Sequence, residues 1–125
     1  MEWVYLYCNI TGGERYITEE SVIDAVGIII ITKLRALGHE VIEVRPTSAT
    51  NVGDSLIKRV DTANANNVDL YVSIHANAGG GRGTEVFTYN GNELEQARNV
   101  LNNLVDLGFV NRGIKSIHTI YENKL

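Results

Sequence analysis

The chain has 125 residues, 44% hydrophobic and 21% charged, enough for one small core and too few for two. A single proline and the lack of any low-complexity tract exclude a disordered chain, and a lone cysteine, Cys8, excludes an internal disulfide. Eleven Lys and Arg against fifteen Asp and Glu give a net charge of -4, which excludes a broad cationic surface for nucleic acid or anionic lipid.

Val4–Cys8 is short, apolar and rich in aromatic and β-branched residues, and Gly12-Gly13 follows it, so a buried strand is expected there. From Thr18, an N-cap residue type, apolar side chains recur at Val22, Ile23, Val26, Ile30, Leu34 and Leu37. That spacing is one face of a helix, which Gly38 would close. The β-branched run Ile28–Ile31 reads as a strand by itself, but the longer period and the flanking caps favour helix. Asp24, Lys33 and Arg35 interrupt the segment, and it falls short of the roughly 20 apolar residues that span a bilayer.

Glu40–Val44 alternates polar with apolar residues and runs into Arg45-Pro46, which predicts a second strand leaving the sheet. Between Asn51 and Asn67, the spacing of Leu56, Ile57, Val60 and Ala63 predicts a second amphipathic helix, ended by Asn66-Asn67. Asp69–His75 is mostly apolar, as a central strand buried on both faces would be, and Gly79, Gly80, Gly81 and Gly83 form a flexible loop after it. Thr84–Tyr89 reads as a further strand and Asn90-Gly91 as a turn. Glu93–Leu107 reads as a helix with Leu94, Ala97, Leu101, Leu104 and Val105 inward. From Asn111 the pattern is weak. Strands alternating with helices predict an α/β fold, a three-layer αβα sandwich around a mostly parallel central sheet, with residues 1–125 forming one domain.

His75 closes the predicted central strand just before a polar, glycine-rich loop, where α/β folds expose functional groups. Neutral imidazole is the commonest protein ligand for zinc, and Glu19 or Glu20, opening the first helix, reach the same sheet edge. Taken alone, His75 reads first as a hydrogen-bonded structural histidine and second as a ligand. No G-x-G-x-x-G or P-loop pattern supports an unrelated nucleotide-binding domain.

Ser73-Ile-His-Ala-Asn-Ala78 resembles the SIHANA signature of the zinc-dependent N-acetylmuramoyl-L-alanine amidases of the amidase 3 family, the catalytic domains of autolysins and phage endolysins. The likeness continues in register. Leu56, Arg59 and Ala63-Asn64 resemble the family's L-x-x-R-x-x-x-A-N helix, and Asp69-Leu70 its A-D-L strand entry. Gly38, Val41 and Arg45 are similar to its G-x-x-V-x-x-x-R segment, and Gly83-Thr-Glu85 to its G-x-E strand. Asn111-Arg-Gly113 resembles a late loop of phage-lysin members.

The resemblance implies a Zn2+ ion held by a histidine after strand one, a glutamate opening helix one and the SIHANA histidine. The last two fall on Glu19 and His75, leaving Glu20 as a solvated first-turn carboxylate. Thr11 stands where the first histidine belongs, and a neutral hydroxyl is a weak zinc ligand. Cys8, three residues earlier, reads as a small core residue; His39 and His118 read as surface residues. The family's general-base glutamate lies on a strand beyond Leu125, so no catalytic residue is assigned and the final strand and helix are expected to be missing; Glu122 reads as surface.

The implied reaction is hydrolysis of the amide between the lactoyl group of N-acetylmuramic acid and L-alanine in bacterial peptidoglycan. The implied partner is a muropeptide, with neither nucleic acid nor a membrane span. The opening MEWVYLYCN lacks a secretory leader's basic and apolar regions, so the expectation is synthesis in the cytoplasm and action at the cell wall if released. Arg82 and Arg112 are candidates to meet a stem-peptide carboxylate, although the glycine loop reads equally as a mobile surface segment. Asn77 either orients substrate or fixes the turn after its strand. The alternative is a truncated or degenerate amidase remnant that binds cell wall or a partner chain without catalysis.

Overall fold

The computed structural model describes residues 18–77 and 81–117 and, as backbone, residues 2–9. Thr11, His118, Glu122 and the loop glycines 79 and 80 lie outside the described residues, as do the side chains of Cys8 and Asn77. The elements run β1 (Glu2–Asn9), α1 (Glu19–Ala36), α2 (Val52–Ala65), β2 (Leu70–Asn77), β3 (Gly83–Thr88), a short 3-10 turn (Tyr89–Gly91), α3 (Glu95–Asp106) and β4 (Asn111–Ser116).

The four strands form one sheet in the order β2-β1-β3-β4. β1 pairs in parallel with β2, from Glu2 opposite Leu70 to Asn9 opposite Asn77. It pairs antiparallel with β3, from Val4 opposite Thr88 to Asn9 opposite Gly83. β3 pairs in parallel with β4 through a register shift between Thr84 and Val86. Two of the three pairings are therefore parallel, and the fold is α/β, as the alternation of elements implied.

β3 is buried along its whole length, and its two faces serve different purposes. Val86 packs with Ala97 and Leu101 of α3, supported by Leu94, Val105 and Ile114, which forms the main apolar cluster. The next residues along β3, Glu85 and Phe87, point the other way because side chains alternate along a strand. α1 packs against β2, and its first residue reaches His75 on that second face. Helices thus lie on both sides of the sheet.

Local signals explain the helix boundaries. Thr18 is extended (φ -84°, ψ 153°), and its hydroxyl oxygen accepts the Ser21 N–H at 3.1 Å, an N-cap. Asn51 caps α2 the same way, accepting the Asp54 N–H at 2.9 Å. Ile28–Ile31 is helical, since the caps and the 3.6-residue period outweigh β-branching. Gly38, at φ +90°, follows the end of α1 in the left-handed conformation that suits glycine. Gly83 is under a stronger constraint: at φ +119°, an added Cβ would run into the Val110 carbonyl oxygen, which accepts the Thr84 N–H at 2.9 Å.

Five expectations are corrected. Asp69–His75, expected as a central strand buried on both faces, is β2 at one end of the strand order, with Leu70 and Val72 exposed. Glu40–Val44 is not a strand. No sheet neighbour lies beside it among the described residues, and its groups are tied to α1 instead: Arg35 donates to the Val41 carbonyl and to Glu43, both at 3.1 Å, and Arg45 pairs with Asp24 at 2.6 Å. The segment from Asn111, weak in pattern, is strand β4. The inward face of α2 is rotated from the expected one. Leu56 and Ile57 are exposed, while Ser55, Arg59 and Val60 are half-buried and Ala63 is fully buried. Val26 and Leu37 of α1 are likewise exposed, Leu37 because it is already the C-cap.

Candidate functional site

The N-cap of α1 sets Glu19 as the first helical residue, beside the C-terminal end of β2. Glu19 Oε1 accepts the backbone N–H of Ala76 at 3.2 Å and lies 3.5 Å from His75 Nδ1. Residues 57 positions apart are thereby locked at one corner of the sheet. The other ring nitrogen, Nε2, is 2.9 Å from the Ser73 hydroxyl, so both ends of the imidazole are held. Ser73 and His75 share a face because they are two residues apart on one strand.

Burial pushes the His75 pKa below its ordinary value of 6.5; the Glu19 carboxylate opposes this by charge and hydrogen bonding, and the Arg59 cation adds to it. The lowered pKa favours the neutral ring, the form that ligates metals. Arg59 sits on the half-buried face of α2, and its Nε is buried with no hydrogen-bond partner among the described residues. An NMR titration of the metal-free chain is expected to place the His75 midpoint below about 6.5. Glu19→Gln should lower it further and Arg59→Met should raise it; an unshifted midpoint in both variants would show that these charges do not reach the ring.

Two donors bonded to one tetrahedral zinc at about 2.0–2.1 Å stand roughly 3.3 Å apart. The 3.5 Å between Glu19 Oε1 and His75 Nδ1 fits that edge and is long for a hydrogen bond. The pair therefore suits two positions of such a site. No group of three or more His, Cys, Asp or Glu that could hold a metal occurs among the described residues, and Thr11 is outside them. Glu20 is exposed, as is His39.

Across the sheet, residue 7 of β1 stands opposite both His75 and Glu85. Opposed residues share a face, so Glu85 lies on the His75 side, two strand spacings or about 10 Å away. Its side chain, only 9% exposed, accepts from Arg112 Nε at 3.0 Å and from Lys115 Nζ through the same oxygen, Oε2. Burial pushes the Glu85 pKa up, but the hydrogen bonds and charges of Lys115 and Arg112 outweigh it and hold the carboxyl below its ordinary value. Arg112, expected at a substrate contact, is thus placed on β4 in this cluster; Arg82 is exposed just before β3.

Sequence reasoning brought Glu19 and His75 together and gave no role to Ser73, Glu85 or Lys115. Ser73 and Glu85 lay inside matched motifs, which offered a signal; Lys115 lay in a segment with none. A family model described as N-acetylmuramoyl-L-alanine amidase matches residues 9–122. No curated protein and no solved structure matches the chain.

Proposed function

Since the chain belongs to the N-acetylmuramoyl-L-alanine amidase family, whose members are peptidoglycan amidases, we propose that residues 1–125 act as one zinc-dependent domain hydrolysing the bond between the lactoyl group of N-acetylmuramic acid and L-alanine. The observation that carries this reading is the convergence of Glu19 Oε1 and His75 Nδ1 at the end of β2, at a spacing that suits a shared cation.

In this reading Glu19 and His75 hold the zinc, with Thr11 at the position of the family's first histidine. A zinc ion held there would supply Lewis-acid chemistry toward the scissile carbonyl. The chain's own residues prepare the corner. The Ala76 N–H fixes the Glu19 carboxylate, and the Ser73 hydroxyl, 2.9 Å from His75 Nε2, steadies the ring whose Nδ1 faces Glu19. Burial, with a smaller contribution from the Arg59 cation, holds the His75 pKa down, and that cation favours anionic groups arriving beside the ring. Asn77, Arg82 and Arg112 are the proposed substrate contacts, with the arginines meeting stem-peptide carboxylates.

Incubation of the zinc-supplemented chain with purified peptidoglycan tests the reading. Mass spectrometry is expected to find released peptides that begin with L-alanine, together with glycan retaining lactoyl carboxylates, and a chelator should stop the release. Binding to peptidoglycan with no peptide released would instead support a non-catalytic remnant. No described helix is long and apolar enough to cross a membrane.

A further inference from the structure

We propose that Arg112 and Lys115, gathered by the buried Glu85 on the His75 face of the sheet, form a receptor for a carboxylate of the stem peptide, two or three residues beyond the scissile amide. This rests on the amidase reading for the identity of the peptide, and on the geometry of β3 and β4 for the receptor.

Among the described residues the cluster holds two cations against one carboxylate, a net charge of +1 (two positive, one negative). Both cations share Oε2 of Glu85. Arg112 uses only Nε for this, and its two terminal nitrogens make no hydrogen bond among the described residues. Those nitrogens are the edge of the guanidinium that binds a carboxylate in a bidentate manner. Lys115 is steadied over the Phe87 ring, 5.9 Å from its centre, with donors to spare. Arg112 is 33% and Lys115 36% exposed, so an incoming anion can reach both, while the anchor beneath them is only 9% exposed. A half-buried surplus cation is poorly solvated, and an anion is the group that corrects this.

Position then selects which anion. Glu85 is two strand spacings, about 10 Å, from His75 on the same face. An extended peptide advances about 3.3–3.6 Å per residue. A peptide with its scissile amide at the Glu19–His75 corner would bring its second or third residue over Arg112 and Lys115. In a peptidoglycan stem the second residue carries an α-carboxylate unless amidated, and the third carries an extra carboxylate when it is a diamino dicarboxylic acid rather than lysine.

Calorimetric titration with stem peptides separates these cases. The probes are L-alanyl-γ-D-glutamyl-diaminopimelate, the same tripeptide with the glutamyl α-carboxylate amidated, and the tripeptide with lysine third. The unaltered chain should bind the first, and Arg112→Gln and Lys115→Met should each weaken it by roughly tenfold. One altered peptide should bind the unaltered chain weakly, and the two substitutions should then cost little more; which peptide does so identifies the residue read. Equal binding of all three peptides, no binding of any, or equal losses for all three in the variants would overturn the proposal. The comparison among peptides on the unaltered chain does not depend on any variant folding. Because binding needs no turnover, a chain that discriminates these peptides but releases none from peptidoglycan would retain the receptor and lose the hydrolase reading.

Discussion

Replacing His75 with alanine is expected to lower zinc retention by more than about 100-fold, because removing even an outer-shell partner of a zinc ligand costs 10- to 100-fold. Elemental analysis after dialysis against zinc should find near-stoichiometric metal in the unaltered chain and almost none in His75→Ala. Glu19→Gln should behave similarly, since it exchanges the charged donor 3.5 Å from Nδ1 for a neutral amide. Ser73→Ala should retain an intermediate amount, because the ring keeps its donor atom and loses only the hydroxyl 2.9 Å from Nε2. Peptide release should fall in the same order. If the unaltered chain holds no more zinc than His75→Ala, the zinc-dependent reading is lost, and with it the role given to Glu19.

The second large effect is on stability. Glu85→Gln preserves volume but leaves Arg112 and Lys115, both about one-third exposed, without their anion. Removing one member of a buried, hydrogen-bonded ion pair is strongly destabilising, and with partial exposure of the cations the loss should be about 2–3 kcal/mol in urea unfolding. The triple replacement Glu85→Leu, Arg112→Met and Lys115→Met should recover much of that loss, since no charge is then left unpaired. Failure of Glu85→Gln to shift the urea midpoint would show that the cluster is solvated rather than structural.

The pH dependence has a definite sign. The folded Glu85 pKa is held below its ordinary 4.5, so the carboxylate's contribution is fully present above about 4.5 and disappears as pH falls through the lower folded value. The unaltered chain should lose stability over that acid window more steeply than Glu85→Gln. His75 adds in the same direction at higher pH. Its folded pKa lies below 6.5, so the folded state loses relative stability as pH falls from 6.5 toward that value.

The candidate site was unevenly legible. His75 and Glu19 were readable because the SIHANA signature marks the histidine and the family spacing back from Gly38 marks the glutamate, two local features. Arg112 was readable as a cation near the site, but its bond to Glu85 spans 27 residues and leaves no trace in spacing. Lys115 was invisible, since β4 holds Arg112, Gly113 and Lys115 and shows too little apolar alternation to read as a strand. Its pairing with the fully buried β3 creates it. The same holds for Glu40–Val44 in reverse: alternation suggested a strand, yet strand formation needs a neighbour to bond, and Arg35 already takes the Val41 carbonyl.

The amino-acid sequence by itself determined the three helices, the N-cap of the first, the strand that carries His75 and the family. Each of these is written in residues within a few turns of one another, where periodicity, capping and motif spacing act. The tertiary structure alone decided that β3 runs antiparallel to β1, that α2 turns Arg59 rather than Leu56 inward, and that one buried carboxylate gathers two cations on the face of His75. Such outcomes depend on which segments become neighbours when the sheet closes. Burial then sets the cost of a charge according to the partners that arrive with it, and distant residues supply those partners.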